Sequence, residues 1–171
     1  MNDREFKEAL GKDPAFTAKM ALDFAVLVAK QAEEVYSAKG MAFPVQVSST
    51  LLYILRAGTA SLLEIARALD HPHQLVAQRI KIMDKLGLLS KEPDPNDGRR
   101  TVFRLTDAGK AQGDRLEAYC KEAAAVFSAL SDEVGTDLIT HLRRAVVSLE
   151  TSPLIDRFPA PDNTKAEEDA A

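Results

Sequence analysis

The sequence predicts a mainly α fold: a winged helix-turn-helix, made of a helix pair plus a two-stranded β-wing, with long flanking helices. Three observations carry this expectation. Apolar residues recur at three- and four-residue spacing through most of the chain, while aromatic content is 6% and Trp is absent. Two helical stretches, 62–69 and about 72–86, meet at the tight break Asp70-His71-Pro72. Strand-like runs at Leu88–Glu92 and Thr101–Leu105 then flank Pro93-Asp-Pro-Asn-Asp-Gly-Arg-Arg, a dense cluster of turn formers.

Each element follows from local signals. Residues 1–12 form a charged N-terminal extension, and a single domain is expected over 13–152. Asp13 is an N-cap with Pro14 at the first helical position, opening a helix over about 14–39 that carries Phe16, Met20, Phe24, Leu27, Val28 and Val35. Gly40 stops it. Pro44 restarts a helix that runs to Gly58 and begins the winged-helix segment, about 44–106. Ser61 caps the next helix, with Glu64 three residues on as its capping-box partner. After the wing, Thr106-Asp107 caps a long helix, and Ser131-Asp132 is expected to introduce a last one bearing Leu138, Leu142, Ala145 and Leu149. In a monomer such stripes on the helices at about 14–39 and 107–150 would partly face water, so a homodimer is expected. The tail, 153–171, thins in apolar residues and is expected to be disordered.

Composition removes several classes of function. At 171 residues, 46% hydrophobic and 28% charged, the chain reads as a globular protein that needs no staple. One cysteine excludes an internal disulfide framework, and Cys120 alone builds no zinc-thiolate site. No apolar run suits a membrane span, and the charged N-terminus lacks a signal-peptide core, so a cytoplasmic protein is expected. No Gly-rich phosphate loop, nucleophile elbow or His-centred constellation points to an enzyme, and no cofactor is expected. Asp70, His71 and His73 are metal-ligand types without ligand spacing, and His141 is remote, so no metal site is assigned. Cys120 falls on the apolar side of its helix, where a free thiol behaves as a small hydrophobe rather than a redox sensor.

The formal charge of −4 argues against a general polyanion binder, but its distribution is uneven. Residues 61–104 carry +2 and the remainder −6. On the second helix of the pair, Val76, Ile80 and Met83 share one side. Gln74, Gln78, Lys81 and Lys85 fall on the other at spacings of four, three and four. Gln bonds an adenine edge in two places and Lys reaches guanine or phosphate, so this face suits the major groove. A solvated face of good helix formers has the same composition. The wing shifts the balance: Arg99 and Arg100 follow Gly98 at its tip, where guanidinium groups can enter a minor groove or bridge phosphates. Gln74, Gln78 and Lys81 are therefore expected at base edges. His73, Lys85 and Arg100 are expected nearer the backbone, with Asp97 bracing Arg99.

The run from Ser61 through Leu-Leu-Glu-Ile-Ala-Arg-Ala-Leu, then Val76 to Lys85, Gly87-Leu88-Leu89, Asp94-Pro-Asn-Asp-Gly-Arg-Arg and Arg104-Leu-Thr-Asp-Ala-Gly109 resembles the MarR (multiple antibiotic resistance regulator) family. The family's Asp-x-Arg wing motif falls on Asp97 and Arg99, followed by Leu105-Thr106. The resemblance implies an obligate homodimer, joined by its first and last helices, that binds a pseudo-palindromic operator on double-stranded DNA as a transcriptional regulator. Many relatives are repressors released by small aromatic effectors. The corresponding effector region here would draw on Phe24, Tyr36, Phe43, Val47, Tyr53 and Tyr119, residues that serve equally as core. Gln78 stands where many relatives carry Arg, and Gly98 where a second wing Arg is frequent. The alternative function is a winged-helix scaffold that binds protein rather than DNA.

Overall fold

At Thr59–Ser61 three residues of strand (β1) pair antiparallel with the second wing strand, putting Ser61 opposite Val102. The sheet is thus three-stranded, in the order β1-β3-β2, where the sequence predicts only the two wing strands β2 (Leu89–Pro93) and β3 (Thr101–Leu105). Because β3 is central, Val102 is buried along with Phe103 and Leu105, while Thr101 and Arg104 are exposed. The computed structural model describes residues 2–94, 97, 98 and 100–159.

The chain divides into two compact units, one ending at Cys120 and the other beginning at Lys121. In the first, α1 (Asp3–Lys12) is closed by a capping box from Asn2 and Glu5, and none of its residues is buried. A 3-10 turn, Pro14–Phe16, capped by Asp13, leads into α2 (Thr17–Ala38), which buries only Ala32 and Tyr36. A second 3-10 turn, Val45–Val47, precedes α3 (Ser48–Ala57). Both predicted helices therefore begin with a tighter turn, which starts at Pro14 in the first and just after Pro44 in the second.

The helix pair is α4 (Leu62–Leu69) and α5 (His73–Lys85). The predicted capping box is present: Ser61 and Glu64 satisfy each other's backbone N–H groups. Asp70 ends α4 in the left-handed region (φ 48°), and the His71 N–H reaches back to the Ala66 carbonyl at 2.9 Å. Val47, Leu51, Ile54, Ile65, Val76, Met83 and Leu116 form the centre of the core.

Helix α6 (Asp107–Glu133) approaches Leu88, the residue just before β2, very closely. A Cβ at Gly109 would lie 2.1 Å from the Leu88 carbonyl oxygen, so only glycine fits. Gln112 Oε1 accepts from the Ala42 N–H at 2.9 Å and Arg115 donates to the Gly40 carbonyl at 3.0 Å, tying the α2–α3 loop down.

In the second unit α6 runs through Ser131-Asp132 instead of ending before them. Ser131 bonds back to the Phe127 carbonyl, and Gly135 (φ 70°) provides the stop. The last long helix, α7 (Leu138–Thr151), is capped by Asp137, whose carboxylate accepts from the Thr140 N–H at 3.0 Å. A short helix, α8 (Leu154–Arg157), lies in the segment expected to be disordered, and Arg157 clamps it to the Ser148 and Ser152 carbonyls. The expected tail beyond 159 lies outside the described residues. No helix among the described residues is long and apolar enough to cross a membrane.

Candidate nucleic-acid interface

Helix α5 is amphipathic in the sense that the sequence predicts. Val76, Ile80 and Met83 are buried, while His73, Gln74, Gln78, Lys81 and Lys85 are all exposed. The two helices of the pair differ at their N-termini. Glu64 and Ser61 close α4, whereas Pro72 offers α5 no side-chain cap. The start of α5, beside His73, therefore has no side-chain cap at the positive end of the helix dipole.

Two other charged residues of α5 are engaged. Asp84 pairs with Lys91 of β2 at 2.6 Å, offsetting the one acidic charge on this helix. Arg79 turns inward: its Nη1 donates to His71 Nδ1 at 2.9 Å and to Ser49 Oγ at 3.3 Å, binding the inter-helix turn to the start of α3. That bond requires a lone pair on His71 Nδ1, so the neutral ring carries its proton on Nε2. Burial holds the Arg79 guanidinium below its ordinary pKa, and its Nε is buried without a hydrogen-bond partner. Arg79 is a structural residue that sequence reasoning counted only as one more positive charge. His71 is likewise committed to this bond.

The wing closes through its backbone. Asp94 N–H donates to the Arg100 carbonyl at 2.8 Å, Asp97 N–H to the Asp94 carbonyl at 3.2 Å, and Arg100 N–H to the Asp97 carbonyl at 2.8 Å. Gly98 is exposed, and its φ lies outside the left-handed region, so this turn does not demand glycine there. Arg99 lies outside the described residues, as do Pro95 and Asn96. Arg100 is described, and its side chain folds back toward α4, with Nη2 3.0 Å from Ser61 Oγ. Hydrogen bonds from Ser61, and more weakly the Arg100 and Arg67 charges, hold the Glu64 carboxyl below its usual range.

Of the residues proposed for an effector, Tyr36, Phe43 and Val47 are buried in the core and Tyr53 and Tyr119 pack partly against it. Tyr36 meets Phe43 and Tyr119 edge-to-face at centroid distances of 5.5 and 4.9 Å, and its hydroxyl lies 2.8 Å from Ser48 Oγ. Burial raises the pKa values of both Tyr36 and Tyr119. Phe24 is exposed. Cys120 is exposed rather than packed as a hydrophobe, with its thiol pKa pushed up by desolvation, which disfavours the reactive thiolate.

A capped helix, a tight left-handed turn, a second helix with a polar outer face and a β-wing define a winged helix-turn-helix protein. Residues 43–100 match the MarR family. This winged helix is similar to that of the MarR family. Its fold is similar to that of MepR from S. aureus, solved in a complex with DNA, at 19% identity over 78% of this chain and 98% of that one (TM-score 0.64). It is also similar to a probable transcriptional regulator from Pseudomonas aeruginosa, at 23% identity over 72% and 96% of the two chains (TM-score 0.57). The reduced form of MarR from E. coli aligns at 15% identity over 78% and 95%, with a TM-score of 0.57. No curated protein matches the chain in sequence.

Proposed function

We propose that this protein is a dimeric, sequence-specific DNA-binding transcriptional regulator, acting as a repressor at a pseudo-palindromic operator. The observation that carries the reading is the outer face of α5, where Gln74, Gln78, Lys81 and Lys85 are exposed together on a helix whose N-terminus has no side-chain cap. Gln74, Gln78 and Lys81 read base edges in the major groove, while His73, Lys85 and the first N–H groups of α5 meet phosphates. Arg99, braced by Asp97, enters the minor groove beside it. Two-fold symmetry of the dimer supplies the symmetry of the operator. A small aromatic effector is proposed to act at the Tyr36, Phe43 and Tyr119 cluster with Phe24, Val47 and Tyr53, releasing the DNA. The cell compartment consistent with this role is the cytoplasm.

Selection from a random duplex library tests the reading directly. The wild type should enrich a two-fold symmetric site, and Gln78→Ala should relax preference at one or two positions per half-site, costing about 1–3 kcal/mol there. Identical enriched sequences for both proteins would remove Gln78 from the base-reading set. No enrichment by the wild type would favour a protein-binding scaffold instead.

A further inference from the structure

Arg100 belongs to the wing in sequence, yet its guanidinium sits at the root of α4. Nη2 donates to Ser61 Oγ at 3.0 Å and lies 3.9 Å from Glu64 Oε1, while Nη1 lies 3.8 Å from Asp94 Oδ2. Ser61 is buried, and the capacity of its hydroxyl is fully used. It donates to Glu64 Oε2 at 2.6 Å, and accepts from the Glu64 N–H at 3.4 Å and from Arg100. One planar cation thus joins three segments: the wing turn through Asp94, the end of β1 through Ser61, and the first turn of α4 through Glu64. Two carboxylates already oppose its charge, which leaves little for a phosphate.

We propose that Arg100 is a positioning residue that holds the wing against the N-terminus of α4 and makes no contact with DNA itself. This rests on the DNA-binding reading above and gives Arg100 a different role within it. The physical need is clear. The wing turn projects beyond the strands, and ordering its residues costs conformational entropy. A wing fixed before DNA arrives does not incur that cost on binding. Lysine cannot replace the clamp, because a point charge does not span Ser61 and both carboxylates as a planar fork does.

Two measurements test it. Without DNA, Arg100→Ala should speed amide hydrogen exchange about tenfold at Asp97 and at Glu64, leaving α5 amides unchanged. An unaltered Glu64 amide would overturn the proposal. With a duplex carrying a random-sequence segment, Arg100→Ala and Glu64→Gln should each weaken binding about tenfold. Glu64→Gln keeps a capping side chain but loses the charge. The double variant should bind no worse than either single one, and Arg100→Lys should not restore affinity. If Arg100 instead touched phosphate, Glu64→Gln would tighten binding by removing a nearby negative charge, and Lys would rescue; either result overturns the proposal. Failure of the wild type to bind duplex would refute the DNA reading, with the exchange result still deciding whether Arg100 clamps the wing.

Discussion

Two glycines of α6 show how one atom decides a close approach. At Gly109 an added Cβ would meet backbone, the Leu88 carbonyl oxygen at 2.1 Å, in a segment that cannot move without disturbing the sheet. At Gly113 it would meet the tip of the Leu55 side chain at 3.0 Å, which can rotate away. Gly109→Ala should therefore destabilise the fold by about 3 kcal/mol. Gly113→Ala should cost under about 1 kcal/mol, because the gain in helix propensity offsets part of the strain. Urea denaturation of the two variants would check the ranking. Neither consequence is legible in the sequence, because Leu88 and Leu55, the neighbours that decide it, lie far from the two glycines along the chain. The inward turn of Arg79 is equally invisible, since its partners His71 and Ser49 come from different elements.

At the scale of elements, what was legible had a local cause. The Ser61–Glu64 capping box, the Asp70 break and the polar face of α5 all depend on residues within a turn or two of one another. What was not legible depends on tertiary pairing. Strand β1 is three residues long, too short to show alternation, and it exists because β3 offers an edge. The fold-back of Arg100 follows from that pairing, which brings Ser61 opposite Val102 beside the wing root. Ser131-Asp132 misled because a serine can bond back into its own helix as readily as cap the next. The α4 cap also carries a pH consequence. Because the Glu64 pKa is lowered in the folded state, its stabilising effect is present above the ordinary value of 4.5 and is lost as pH falls through the folded value. Glu64→Gln should thus flatten part of the acid limb of the stability curve, measured by denaturation from neutrality downward. An acid limb identical to that of the wild type would show that the cap does not titrate with folding.

At the scale of the molecule, the exposed apolar surface asks for a partner. Met20, Leu22, Phe24, Val26 and Leu27 of α2 are exposed, and so, in the second unit, are Ile139, Leu142, Val146, Val147 and Leu149 of α7. Helix α7 buries none of its residues. A helix with a bare apolar face draws little stability from its own hydrogen bonds, so both are expected to be covered in a homodimer. Light scattering at micromolar concentration should give twice the 18.7 kDa chain mass, and Leu142→Glu should reduce it toward one. A wild-type mass of one chain would remove the symmetric operator along with the dimer.

The central claim is that the α5 face and the wing together bind duplex DNA, and salt dependence tests it most directly. Fluorescence anisotropy titrations of one duplex at several salt concentrations would compare the wild type with Lys85→Ala and Arg99→Ala. Each phosphate neutralised by the protein adds about 0.9 to the log-log slope. Each variant should bind more weakly, with a slope shallower by about one unit for every phosphate left unneutralised in a half-site, at unchanged dimer mass. Affinities and slopes indistinguishable from the wild type for both variants would contradict the account.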